Sequence, residues 1–259
     1  MQEIDKLFLA KLADKVNLVK KKHMLESTDF LDEYQQQTAK KWFKGEHWKQ
    51  VYFAGGVEQA ERKIAILYPE KLENTLVEKP ETILAQFIRV IQIELPKQIE
   101  PYTHKQYLGA LMKLGIKREK IGDIHVNDKG AQILVKKEVE NYLINALPEL
   151  TRFSKSSICS ISLEEIKWHE PEKIRSVHVV PSLRLDACIA EMVGCSRSKA
   201  IEILEEQRVW VNGELQIKRT RELKEMDKIT VRGKGRFQIA EIKGMTKKDN
   251  WIIEIEKNK

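Results

Sequence analysis

Two short amphipathic stretches running straight into a hairpin signal constrain this chain more than any other feature. "LRLDACIAEM" puts Leu185, Ile189 and Met192 on one helical face, with Cys188 beside them. "SRSKAIEILEE" follows, with Ala200, Ile203 and Leu204 on one face and Ser196 placed to cap the first turn. "RVWVNGE" then alternates into Asn212-Gly213, a pair that tolerates the positive φ of a tight hairpin turn. "DKITVRGKGRFQIAEI" and "WIIEIE" continue as strands. Two helical stripes are to be buried on a sheet. The expected core is Leu185, Cys188, Ile189, Ala200, Ile203, Leu204, Val209 and Val211. Trp210 alternates with the two valines and points outward, where packing against the preceding domain is favoured over stacking on nucleic acid.

The second of these helices begins against electrostatics. Its first turn carries Arg197 and Lys199, although a helix N-terminus holds about half a positive charge and favours acids. The opposition costs roughly 0.3–1 kcal/mol per cation. Free amides at such an end bond phosphate oxygens, so an outside anion would offset that cost. The distribution of charge agrees. The net charge is +7, and residues 166–259 hold 20 basic against 15 acidic side chains, including eight of the twelve arginines. Arginine bonds phosphate through two prongs. Charge alone fits a solvated basic surface and a nucleic-acid-binding one equally well, and Arg184, Ser196, Arg197, Lys199, Arg208, Asn212, Lys218 and Arg219 are the candidate residues for the second. A second run, Arg232, Lys234 and Arg236, fits either RNA contact or a solvated strand edge.

Upstream the chain reads as two further parts. Residues 1–79 form an N-terminal α+β part. Ser27 or Thr28 can cap a helix over about 29–43, and "VYFAGG" is a strand entering a turn before a second strand at 64–68. Gly55-Gly56 is not followed by the G-K-[ST] of a phosphate loop, and Glu61 with Arg62 reads as a surface pair. Residues 80–165 run β-α-β-β-α-β. "TILAQFIRVIQIEL" is the first strand, Thr103 and Gln106 make a capping box, and 127–130 turn a hairpin. That order is ferredoxin-like. Residues 166–180 read as a linker and 181–259 as the small basic domain. The fold class is α+β, multi-domain.

No apolar run approaches the roughly 18 residues of a membrane span, and the first residues lack a secretory pattern. A cytoplasmic protein with no membrane partner is expected. Cys159, Cys188 and Cys195 form no C-x-x-C pair, and His125 has no ligand partner at metal spacing. No metal and no cofactor are expected.

Over 181–235, "LRLDACIAEMVGCSRSKA", "RVWVNGE" and "DKITVRGKG" resemble, in that order, the small α-L RNA-binding domain first described in a small-subunit ribosomal protein. Gln207 departs from it, standing where glycine is usual. The whole chain resembles the YlmH family of bacterial RNA-binding proteins, which carry this domain last. "FAGGVEQAER" followed by "YP", and "GDIHV", are similar to that family's other recurring stretches. The resemblance implies a non-enzymatic RNA-binding protein acting on the ribosome in translation, in ribosome-associated quality control. Its implied partners are ribosomal RNA and the large subunit, with stranded peptidyl-tRNA as a further candidate. A monomer is expected.

Two other classes compete. Pseudouridine synthases carry R-L-D with a catalytic aspartate, and Arg184-Leu185-Asp186 matches those letters. "ACIAEM" follows instead of x-x-T, so Asp186 reads as a helix-start acid. A cell-division adaptor is the third class, resting on another name of the family, and no exposed motif supports it.

Overall fold

The computed structural model describes residues 3–168 and 173–258. The chain divides into two compact units, Met1–His169 and Glu170–Lys259. The class is α+β, with helices and several antiparallel sheets.

The first unit runs α1 (Glu3–Lys22), β1 (Glu26–Ser27), α2 (Glu33–Gly45), β2 (Val51–Ala54), β3 (Ile64–Leu67), α3 (Glu73–Glu78), α4 (Pro80–Leu84), β4 (Ile88–Glu94), α5 (His104–Lys113), β5 (Ile121–Asn127), β6 (Gly130–Lys136), α6 (Glu140–Ala146) and β7 (Ser157–Ile161). Its sheets are ordered β1-β3-β2 and β5-β6-β4-β7. Side chains of β4 and β6 alternate between two cores. Ile91, Ile93, Ile133 and Val135 pack with Tyr107, Leu111 and Leu143 of α5 and α6. Ile88, Val90 and Leu134 meet Phe30, Ile64, Ile66 and Tyr68 from upstream. Burying each such side chain contributes about 1.5–3 kcal/mol, and this second core joins residues on both sides of position 80.

Two local readings give way to longer-range pairing. Thr28 is not a helix cap: its N–H donates to the Ala65 carbonyl at 2.9 Å, and its hydroxyl accepts from the Ala65 N–H at 2.8 Å. The helix starts later, where the Asp32 carboxylate accepts from the Gln35 N–H at 2.9 Å in a capping box. The stretch "TIL" belongs to α4, opened by Pro80 at its first position, and the strand begins only at Ile88.

The stretches "FAGGVEQAER" and "GDIHV" meet. Asp123 accepts from the backbone N–H groups of Glu61 at 2.6 Å and Arg62 at 3.1 Å. Arg62 donates from Nε to the Ile121 carbonyl at 3.1 Å and from Nη2 to the Phe30 carbonyl at 2.8 Å. A Cβ on Gly55 would lie 2.3 Å from the Arg62 carbonyl oxygen, so only glycine permits this approach. Arg62 is a structural tie between these stretches.

The second unit runs β8 (Lys173–Val180), α7 (Leu185–Val193), α8 (Arg197–Glu205), β9 (Val209–Val211), β10 (Glu214–Leu215), β11 (Lys228–Val231), β12 (Gly235–Met245) and β13 (Trp251–Asn258). One antiparallel sheet is ordered β10-β9-β11-β12-β13-β8. All eight expected core residues are at most 2% exposed and form one cluster. Asn212 and Gly213 take φ of 52° and 78°, as a tight hairpin turn requires. Gln207 keeps the left-handed conformation, at φ 56°, in place of glycine. Residues 173–180, read as part of a linker, form β8, paired with β13 along its whole length. Cross-strand ion pairs support it: Lys173 lies 3.0 Å and Arg175 2.7 Å from Glu256.

Cys188 is fully buried, and burial, with the nearby Asp186 charge, pushes its thiol up to about 12. Cys159 is exposed. Iodoacetamide should modify Cys159 in the native chain and reach Cys188 only after unfolding. Peptide mass spectrometry checks this, and equal native rates would contradict it. No helix among the described residues is long and apolar enough to cross a membrane.

Candidate nucleic-acid interface

Arg184 is the residue before α7 and has extended backbone dihedrals. Its guanidinium does not cap the helix. Nε and Nη2 donate to the two carboxylate oxygens of Asp186, each at 3.1 Å. Arg197, the first residue of α8, donates from Nε to Asp186 Oδ2 at 3.0 Å, with Nη2 also 3.0 Å away. Asp186 is 1% exposed, whereas the Arg184 and Arg197 side chains are 35% and 49% exposed. One buried carboxylate therefore aims two guanidiniums whose outer edges stay in solvent. Burial resists ionisation of Asp186. The hydrogen bonds and charge of Arg184 and Arg197 outweigh it and hold the carboxyl below its ordinary range.

The first turn of α7 also anchors a loop. The Leu185 N–H donates to the Arg221 carbonyl at 2.8 Å, and the Asp186 N–H to the Arg219 carbonyl at 3.2 Å. These bonds satisfy amides that a helix start leaves open. They hold the backbone of Arg219 and Arg221 against the start of α7, on a loop where Lys218 and Arg219 are exposed. Ser196 Oγ accepts from the Lys199 N–H at 3.2 Å, so this hydroxyl is the cap of α8. Lys199 is exposed and lies 2.6 Å from Glu202 on the same helix.

A second basic group lies past the other end of α8. The nine residues of α8 span about 13 Å at 1.5 Å each. Arg208 Nη2 donates to the Arg232 carbonyl at 2.8 Å, and the Arg232 N–H to the Arg208 carbonyl at 2.9 Å. Arg208 also lies 2.9 Å from Glu206. The β11–β12 turn is thereby fixed to Arg208, carrying exposed Arg232 and Lys234, with exposed Arg236 opposite Thr230 in the strand register. Asn212 is committed to the fold. Its amide donates to Asp227 at 2.8 Å and its oxygen accepts from the Lys228 N–H at 2.9 Å. Trp210 is half-buried, opposite Leu215 and Thr230.

Sequence reasoning missed Asp186 as the organiser of this site. A signal was present: an acid one position from buried Leu185 and three before Ile189 enters a helix wall where a carboxylate needs cations.

Residues 85–170 match the family model described as "Putative RNA-binding domain in YlmH". The chain is 30% identical over 261 residues to "Ribosome-associated protein quality control protein P2" of Bacillus subtilis (strain 168), covering 98% of this chain and 96% of that protein. The chain belongs to the YlmH family. Among solved structures, "Cell division protein ylmH from Streptococcus pneumoniae" aligns at 20% identity and a TM-score of 0.48, over 64% of this YlmH-family chain and 97% of that one.

Proposed function

We propose that this YlmH-family chain is a non-enzymatic RNA-binding protein of the ribosome. In this reading, the second unit is an α-L domain that grips ribosomal RNA on a large subunit carrying stranded peptidyl-tRNA. The β-α-β-β-α-β part of the first unit is a ferredoxin-like domain. The relative's name and the matched RNA-binding region support the setting. The observation that carries the reading is the Asp186 arrangement: two guanidiniums held on the buried carboxylate of a residue whose backbone anchors the loop of exposed Lys218 and Arg219. Such a group reads phosphates and backbone shape, since an A-form helix hides its major-groove edges. The same observation weighs against an R-L-D enzyme. A catalytic aspartate must reach its substrate, and Asp186 is buried with both oxygens engaged by arginine.

Lys218→Ala with Arg219→Ala, in the full chain, should weaken binding to ribosomal RNA fragments and leave thermal melting unchanged. Removing a cation that neutralises one phosphate should flatten the slope of log K against log salt by up to roughly 0.9 on a duplex-like target. An unchanged affinity and slope would sink this placement of the site. Co-sedimentation of the same variant with large subunits should fall in parallel.

A further inference from the structure

Among the described residues, the central strands of the matched RNA-binding region are packed on both faces. One face of its four-stranded sheet carries α5 and α6, and the other packs on Phe30, Ile64, Ile66 and Tyr68. RNA-recognition sheets use such a face as a stacking platform. A different feature lies where α4 turns into β4. A groove of about 460 Å³ is lined by Leu25, Leu72 and Phe87 together with His23, Lys71 and Lys137. Phe87 is half-buried, and His23, Lys71 and Lys137 are exposed. Backbone bonds fix the aromatic and one cation side by side: the Phe87 N–H donates to the Leu84 carbonyl at 2.9 Å, and the Lys137 N–H to the Phe87 carbonyl at 2.9 Å. The Lys136 ammonium lies 5.4 Å from the Phe87 ring centroid. His23 follows Lys20, Lys21 and Lys22, all exposed, at the end of α1.

A partly open aromatic ring inside a cationic rim is how proteins hold single-stranded nucleic acid: the ring stacks a base and the cations take its phosphate. The volume suits a ligand of nucleotide size. We propose that this groove binds one unpaired RNA nucleotide, its base against Phe87 and its phosphate on Lys71 and Lys137. The proposal rests on the RNA-binding reading above and adds a site in the other unit. A base within a duplex cannot lie on Phe87, so the groove selects single strands.

The test uses the full chain, a short fluorescent oligouridylate and anisotropy, with 4-thiouridine crosslinking to locate contacts. Lys71→Ala with Lys137→Ala changes only exposed side chains. It should flatten the salt slope by up to roughly 0.7 for each phosphate no longer neutralised. Phe87→Leu keeps an apolar side chain in the core while removing the ring, and should weaken binding roughly 5- to 150-fold. Crosslinks should fall near Phe87. Lys218→Ala with Arg219→Ala should keep oligouridylate binding while weakening that of ribosomal RNA fragments. Unchanged affinity in both groove variants, or crosslinks confined to 173–258, would overturn the groove and leave the second-unit site standing. Loss of oligouridylate binding in the Lys218/Arg219 variant would do the same. No binding of any RNA by the wild-type chain would overturn both readings.

Discussion

Asp186→Asn is expected to destabilise the second unit by about 2–3 kcal/mol and to reduce discrimination between RNAs. The wild-type carboxylate accepts from two guanidiniums through both oxygens. An asparagine oxygen can keep part of this, but its NH2 would face arginine donors. The cost stays below that of a stranded buried charge, about 3–5 kcal/mol, because both arginines can turn to solvent. The sign with pH follows from the depressed carboxyl. Its stabilisation is fully present above the ordinary aspartate value of about 3.9 and is lost as pH falls through the lower folded value. The stability gap between wild type and variant should be constant above about pH 5 and shrink on acidification. RNA binding feels two opposed effects. The variant removes a negative charge, which favours any phosphate. It also frees two arginines, and ordering each again costs about 0.5–1.5 kcal/mol. Screening over about 8 Å at physiological salt weakens the first effect, so ordering decides. The ratio of affinities for a ribosomal RNA fragment and a random duplex should fall roughly 5- to 150-fold where both proteins are folded. An unchanged ratio with earlier melting would make Asp186 purely structural.

Features decided within a few residues were legible in the sequence. The Ser196 cap, the Asn212-Gly213 turn and the stripes of α7 and α8 all depend on near neighbours. Features decided across the chain were not. Thr28 has the chemistry of a cap, yet its partner is Ala65 in β3. Residues 173–180 look like a linker until β13 lies alongside. The candidate residues of α8 show the same limit. From the helix dipole alone, removing Arg197 or Lys199 relieves the first turn equally. The structure separates them: Arg197 compensates buried Asp186, while Lys199 meets exposed Glu202. Asn212 has the right chemistry for RNA contact, but its amide is occupied by Asp227 and Lys228.

Raising the pH from 8 to 9 is expected to stabilise the first unit by about 1 kcal/mol through Lys136 alone. Lys136 is 5% exposed, and its ammonium donates to Ser27 Oγ at 2.7 Å and the Thr28 carbonyl at 2.9 Å. Burial pulls its pKa down to about 8; Lys120 and Lys15 add to this, while Asp29 and Glu138 oppose it. An unfolded lysine titrates near 10.4. Between these values the unfolded chain binds more protons, so stability rises with pH. The penalty is fully present below the folded value and is relieved as pH climbs toward the unfolded one. The lower part of that window is the useful one. Cys188 and Tyr107 are both raised to about 12, so each erodes stability only above its ordinary value, about 8.5 for cysteine and 10 for tyrosine. Cys188 lies in the other unit. Denaturant melts that follow β6, with Lys136→Met as reference, isolate the effect. Methionine leaves the Thr28 carbonyl without its donor, which shifts the whole curve and leaves its slope unaffected. The wild-type curve should climb from pH 8 to 9 relative to the Lys136→Met curve. Parallel curves across that interval would mean that Asp29 and Glu138 already compensate the buried ammonium.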